Sequence, residues 1–383
     1  MESEEDIKME GQFRELIVRQ REMADEWKSA GGKVVGHFCN YVPEEILHAG
    51  GVLSIRILGS HGHIARADAH VQTYVCKLIR SSLDMGLVGE LDYLDGVIIP
   101  YTCDGMRLLF DLWTKNVKQG FVHLLDLPLI VKGDIGRNRF EGAVIQLKKS
   151  LEDYLGKSIS EEALSISIRV YNENRALLRE LYNLRRNVGG MISNIESLEA
   201  VLSSLTSPKE LHSDLLRRTI LERSKSTAHD EAAPGAPMVR LHVSGSLVTD
   251  SRYYQIIEDC GGLVVSDDLC TGTRYYWDDV KEDTHPLKAI TNRYLDKLPC
   301  PCKSPSEERY QFVLDSLRQD DVQGVIFVLE RYCDPHLYDY PFLRKKVESM
   351  GIPVLQIDAE LGLSGVEQLR TRIQAFIEIV RGG

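Results

Sequence analysis

Eight cysteines are spread along the 383-residue chain. Cys300 and Cys302 share a Cys-Pro-Cys step in "LPCPCKSPSEERY"; the others stand alone, as in "HFCNY" (Cys39), "VCKLIRSS" (Cys76), "YTCDG" (Cys103), "IIEDCGG" (Cys260), "DDLCTGTRYY" (Cys270) and "LERYCDPHLY" (Cys333). Thiolates suit soft metals, and iron–sulfur clusters are held by cysteine sulfur. No Cys-x-x-Cys pair occurs, which argues against a zinc ribbon, and the short spacing of small ferredoxins is also absent. Metal bound here must draw each thiolate from a different loop. The alternative is a set of reduced thiols filling core space. Cys39 and Cys103 lie 64 residues apart, Cys270 and Cys333 lie 63 apart, and each interval encloses another cysteine, Cys76 or Cys302. That repeat predicts two duplicated halves with three cysteines each, facing one another across a cleft. Cys260 falls outside the pattern and reads as a core residue.

Loops of this kind need a scaffold that presents them on one edge. Short apolar runs, "KVVGHF", "VLSIRIL", "LDGVIIPYT" and "FVHLLDLPLI", alternate with helical stretches such as "PEEILHAG" and "GMRLLFDLWTKN". A second series, "MVRLHVSGS", "GGLVVSDD", "QGVIFVLER" and "IPVLQIDAE", alternates with "SEERYQFVLDSLRQ" and "LRKKVESMG". The alternation predicts an α/β protein with two Rossmann- or flavodoxin-like domains and mainly parallel sheets. Cys39, Cys103, Cys270 and Cys333 then fall at or just past the C-terminal ends of strands, the edge where such sheets bind ligands. An N-terminal helix ending at Gly31-Gly32 and the first α/β domain are expected over 1–136. A helical connector and linker take 137–236, with a capping box from Ser158 to Glu161 and a polar linker "SKSTAHDEAAPGAP"; the second α/β domain takes 237–383.

Composition narrows the function classes. The net charge of -11 argues against a phosphate-backbone binder, so no nucleic-acid partner is expected. "MESEEDIKMEGQ" has no apolar core and is not expected to be a signal peptide. No apolar run approaches the roughly 20 residues of a bilayer span, so no membrane partner is expected. A cytoplasmic setting follows, where thiols stay reduced and metal or core roles outweigh disulfides.

"YVPEEILHAGG", "YTCDGMRLLFDLW", "THPLKAITNRYL", "RYCDPHLYDYPFLRKKVESMGIPVLQID" and "RTRIQAFIE" resemble the 2-hydroxyacyl-CoA dehydratase and benzoyl-CoA reductase superfamily. Within it the chain looks most like the double-cubane cluster proteins. The resemblance implies three cysteines for one [4Fe-4S] cluster, at Cys76, Cys103 and Cys333. Further ligands are implied at Cys39, Cys270 and one of Cys300 or Cys302, with Cys302 slightly favoured by the repeat spacing. Six thiolates would serve a double-cubane [8Fe-9S] core, which is favoured over a single [4Fe-4S]. "RYCDPH" resembles the dehydratase form of its block as much as the double-cubane form.

The resemblance also implies electrons delivered by a separate dimeric activator ATPase with its own [4Fe-4S] cluster, since this chain lacks a Walker A motif. It implies a homodimer and a small-molecule substrate; the heteromeric dehydratases pair two different subunits instead. Proton donors near the cysteine loops, and hence candidate catalytic groups, are His37, Tyr101, Glu330 and His336, each with a packing or capping alternative. "VSGSLVTD" reads as a plain strand-to-helix turn rather than a phosphate cradle, and His61 and His63 as part of a glycine-rich surface loop. Three readings result: a double-cubane reductase component, a subunit of a 2-hydroxyacyl-CoA dehydratase or benzoyl-CoA reductase type enzyme, and an assembly subunit without a cluster.

Overall fold

The computed structural model describes residues 11–186, 192–226, 238–362 and 365–382. The opening acidic residues and most of the expected linker lie outside the described residues. Two four-stranded sheets are present, both wholly parallel. The first comprises β1 (Lys33–His37), β2 (Val52–Arg56), β3 (Gly96–Pro100) and β4 (Phe121–Leu125), in the order β2-β1-β3-β4. The second comprises β5 (Val239–Gly245), β6 (Gly262–Asp267), β7 (Gly324–Glu330) and β8 (Val354–Ala359), in the order β6-β5-β7-β8. Each therefore repeats the same doubly wound topology, as the alternating runs predicted. β2, β3, β6 and β7 are buried along their whole length, which is why they read as unbroken apolar runs; the edge strands β4 and β8 are partly exposed.

In such sheets the order reverses between the first and third strands, and the crevice at their C-terminal ends is the natural ligand site. Here those strands are β1 with β3 and β5 with β7. β5 ends at Gly245, where a Cβ would collide with the carbonyl of Val328 on β7. Only glycine lets β5 finish so close to its neighbour, and the next carbonyl, of Ser246, accepts the Cys270 amide at 2.7 Å.

Apolar packing divides the middle of the chain differently from the expected boundaries. The expected 136/137 boundary falls inside the helix Asp134–Leu155, whose Phe140, Val144 and Leu147 pack with Val35 and Ile98 of the first sheet. The next helix, Glu161–Arg186, gives Leu164 and Ile168 to that core and Leu178, Leu181 and Tyr182 to the core of the second sheet. It is a spine shared by both halves. The N-terminal helix breaks at Arg19 into Gln12–Val18 and Gln20–Ser29. Phe13 and Leu16 of the first piece join the core of the second sheet, and Ala24 of the second joins the first.

The N-cap of the spine also differs from expectation. Ser160 Oγ accepts the amide of Ala163 at 3.1 Å, because the helix starts at Glu161 and a capping oxygen must sit immediately before it. Among the described residues, no helix is long and apolar enough to cross a membrane.

Candidate metal centre

Three cysteines begin helices. Cys76 precedes Lys77–Val88, Cys103 precedes Asp104–Asn116, and Cys333 precedes Asp334–Glu348. Burial pushes Cys76 up to about 11, Cys103 up to about 12 and Cys333 well above the usual thiol value. Working against burial, each thiol feels the amide N–H of the third residue of its own helix, Ile79, Met106 or His336. Helix N-termini favour a thiolate in this way. Cys76 and Cys103 also raise Cys333, so these thiols stand close enough for one to resist the ionisation of another. A bound cation would reverse that balance, since metal-coordinated thiols are deprotonated outright.

Local anchors hold these loops. Asp84 accepts the amides of Ala65, Arg66 and Ala67 at 3.1, 2.6 and 2.8 Å, pinning the loop that leads to Cys76. Tyr332 adopts φ 62, a left-handed conformation that costs a bulky residue energy, immediately before Cys333.

A second group of thiols lies among buried cations. Cys39 follows β1 with φ 61. Asn40 Nδ2 and Arg56 Nη1 both donate to the carbonyl of Cys270, at 2.9 and 3.0 Å. Lys297 Nζ donates to the Asn40 carbonyl at 2.6 Å and lies 4.5 Å over the Tyr41 ring. Tyr41 Oη accepts the Cys300 amide at 3.2 Å. Contact with Cys300, followed by burial, pushes the Cys270 thiol well above its usual value. Cys300 is drawn down by Cys270 but pushed up by Cys302 and burial, leaving it at about 12.

The two groups meet. Cys39 and Cys300 both raise Cys103, and Cys300 also raises Cys333. Seven of the eight cysteines thus share one cleft: Cys300 acts on Cys103, Cys270 and Cys333, and Cys302 lines the cavity with Cys76, Cys103 and Cys333. Cys260 lies apart at the end of the helix Arg252–Asp259, its sulfur 3.9 Å from the Arg370 carbonyl.

The equal cysteine intervals do not mark equivalent positions. Cys103 and Cys333 both follow the third strand of their sheets, but Cys39 follows a first strand and Cys270 a second. The fold is duplicated, whereas the match of 64 with 63 residues is coincidence.

A cavity of about 860 Å³ opens beside Cys76, Cys103, Cys302 and Cys333, with Tyr101 and Leu127 on its wall. Among the described residues, no three His, Cys, Asp or Glu side chains converge tightly enough to chelate a single metal ion. A polynuclear cluster has a different requirement, separate thiolates on separate irons. The ring of thiols from several loops fits that requirement.

Of the four candidate proton donors, Tyr101 lines the cavity. Glu330 is buried at the end of β7; burial raises it to about 7, its carboxylate accepts the Leu361 amide at 3.1 Å, and its charge acts on Cys76. His37 is buried 3.9 Å from Glu44, and burial lowers it to about 4, leaving it neutral. His336 is likewise lowered by burial, beside Arg274, Arg309 and Asp268. The carbonyls of Gly245 and Ser246 in "VSGSLVTD" accept Arg274, as befits a turn rather than a phosphate cradle. His61 Nε2 pairs with Thr249 Oγ1 at 2.9 Å.

Sequence reasoning missed the buried cations Arg56, Arg274, Lys297 and Lys303. Arg274 lies four residues beyond Cys270 and Lys303 directly follows Cys302, so proximity to a cysteine was the available signal. Nothing in the periodicity separates them from solvated charges.

Residues 39–380 match the family model described as 2-hydroxyglutaryl-CoA dehydratase, D-component. The chain is 27% identical over 367 residues to a benzoyl-CoA reductase subunit of Thauera aromatica, covering 94% of each chain. It is 24% identical over 370 residues to the (R)-phenyllactyl-CoA dehydratase beta subunit of Clostridium sporogenes, covering 96% of this chain and 97% of that one. It is 26% identical over 382 residues to the lactoyl-CoA dehydratase beta subunit of Anaerotignum propionicum, covering 96% and 98%.

Proposed function

The chain belongs to the 2-hydroxyglutaryl-CoA dehydratase D-component family, and from that premise we propose that it is an iron–sulfur reductase component carrying a double-cubane [8Fe-9S] cluster. The observation supporting this reading is the number of thiols in one cleft. Cys76, Cys103 and Cys333 alone match the set implied for one [4Fe-4S] cluster, yet Cys39 and Cys300 act on Cys103, Cys302 lines the same cavity, and Cys270 contacts Cys300. The sixth ligand is Cys302, slightly favoured by spacing, or Cys300.

When bound, such a core supplies low-potential one-electron transfer. The protein supplies the rest. Helix N-termini and buried cations hold the thiolates, Leu108 and Leu127 keep part of the cavity wall apolar, and Tyr101 on that wall is the candidate proton donor. Glu330, held near neutrality, stores a proton behind Cys76. In this reading a dimeric activator ATPase with its own [4Fe-4S] cluster delivers single electrons to a cytoplasmic homodimer that reduces a small molecule.

A second reading is favoured by the relatives' names, each of which denotes a subunit of a larger enzyme. There the chain pairs with a different subunit, holds one [4Fe-4S] cluster and acts on a CoA thioester. Anaerobic purification with iron and sulfide analysis, read beside oligomeric state, decides between the two. About eight irons per chain in a homodimer supports the first, about four the second, and none after reconstitution refutes both. Separate Cys300→Ser and Cys302→Ser substitutions identify the ligand, since only its loss lowers the iron content.

A further inference from the structure

The remaining buried charges of the cleft divide unevenly between the two thiol groups. Several buried cations have carboxylate partners: Lys209 lies 3.5 Å from Glu44, Arg309 lies 2.8 Å from Asp268, and Arg175 pairs with Glu45. Arg56, Arg274 and Lys297 donate to neutral oxygens instead, namely the Cys270 carbonyl, the Ser246 carbonyl at 3.2 Å and the Asn40 carbonyl at 2.6 Å. Among the described residues, none of the three forms an ion pair with a carboxylate. Asp268, whose charge reaches Arg274, is already held by Arg309. Nε of Arg56 and both Nε and Nη1 of Arg274 are buried without any partner. Buried charges left unpaired in this way are costly, so the site is built for an anion.

The fields of Arg56 and Arg274 act on Cys270, that of Arg274 on Cys300, and those of Cys39 and Cys270 on Lys297. Cys76, at the cavity, has the opposite company: Glu330 and Asp334 both disfavour its thiolate. A further first-turn acid, Asp104, follows Cys103.

Building on the double-cubane reading, we propose that Arg56, Arg274 and Lys297 set the order in which electrons fill the bound core. The first electron resides on the half held by Cys39, Cys270 and one of Cys300 or Cys302, and the second on the half held by Cys76, Cys103 and Cys333 beside the cavity. Each step adds one electron from a one-electron donor and makes the core one unit more negative; no bond is formed or broken. The half facing the cations accepts that charge more readily. The half facing the cavity is then the stronger reductant, and its electron is the one available to a molecule bound there. Arg56, Arg274 and Lys297 are positioning residues, acting through the core and not on the substrate.

Potentiometric titration of the anaerobic holoprotein, followed by electron paramagnetic resonance, tests this. Arg274→Met should lower the reduced-to-oxidised ratio of the first step about tenfold at a fixed potential, equal to about 59 mV for one electron, with a clearly smaller change in the second step. Arg274→Lys, which keeps the charge, should restore most of the difference. If Arg274→Met does not hold its iron, Lys297→Met gives the same comparison from the other side of the thiols. Equal shifts in both steps, or none in the first, overturn the proposal. Wild-type iron content separates the two levels. About eight irons per chain with an unmoved first step defeats only this inference, whereas about four defeats the double-cubane reading as well.

Discussion

Arg175 and Glu45 form a buried pair with side chains 3% and 0% exposed. Glu45 also accepts from Tyr294 Oη at 2.8 Å, and Arg175 donates to Asn172 Oδ1 at 3.1 Å. The pair ties the spine helix to the helix Glu44–Ala49 that follows Cys39 and to the helix Pro286–Asp296 that leads to Lys297 and Cys300. Arg175→Met takes from the buried Glu45 carboxylate its ion-pair partner, leaving the Tyr294 hydroxyl and the weaker fields of Lys209 and Arg293, and breaking a buried pair from one side costs about 3–5 kcal/mol. Urea unfolding of wild type and variant, anaerobically at pH 7, measures it. Adding Glu45→Gln to Arg175→Met should recover most of the loss. A deficit below about 1 kcal/mol, or no recovery in the double variant, would refute the reasoning.

Other predictions follow from single contacts. Cys260→Ser should leave the iron content unchanged, because that sulfur lies outside the cleft; any loss of iron would place it in the site after all. His212 is neutral in the fold, lowered by burial to about 3, with Nε2 against the Ala200 carbonyl at 2.9 Å. Its contribution to stability should therefore fall as pH drops below 6.5, by about 2 kcal/mol at pH 5, alongside those of His37 and His336, and His212→Gln should make the slope shallower in denaturant titrations. Ser160→Ala should cost about 1 kcal/mol as a lost N-cap, while Ser158→Ala should cost almost nothing; equal effects would contradict the observed cap. Asp84→Ala removes three amide contacts from the loop before Cys76 and should speed iron loss to a chelator, whereas Asp84→Asn, which keeps an acceptor oxygen, should show a smaller effect.

Chain order by itself determined both α/β halves and the strand ends at which four of the cysteines lie. Local periodicity carries that information, because buried parallel strands must be apolar and their loops must be polar or small. It also separated Cys260 from the other thiols. It did not reveal which strands adjoin, so a matching pair of intervals looked like a repeat although Cys39 and Cys270 occupy different loops of the topology. Ser158 and Ser160 both stand near the start of a helix, and only the position of the first turn chose between them. Tertiary structure alone decided that Arg56, Arg274 and Lys297 are buried beside the thiols and, among the described residues, form no ion pair with a carboxylate. The physical reason is that a charged side chain reads the same in a sequence whether water or a distant segment surrounds it. Burial and the distance to an opposite charge exist only after chain segments more than two hundred residues apart have packed together, as Arg56 and Cys270 have.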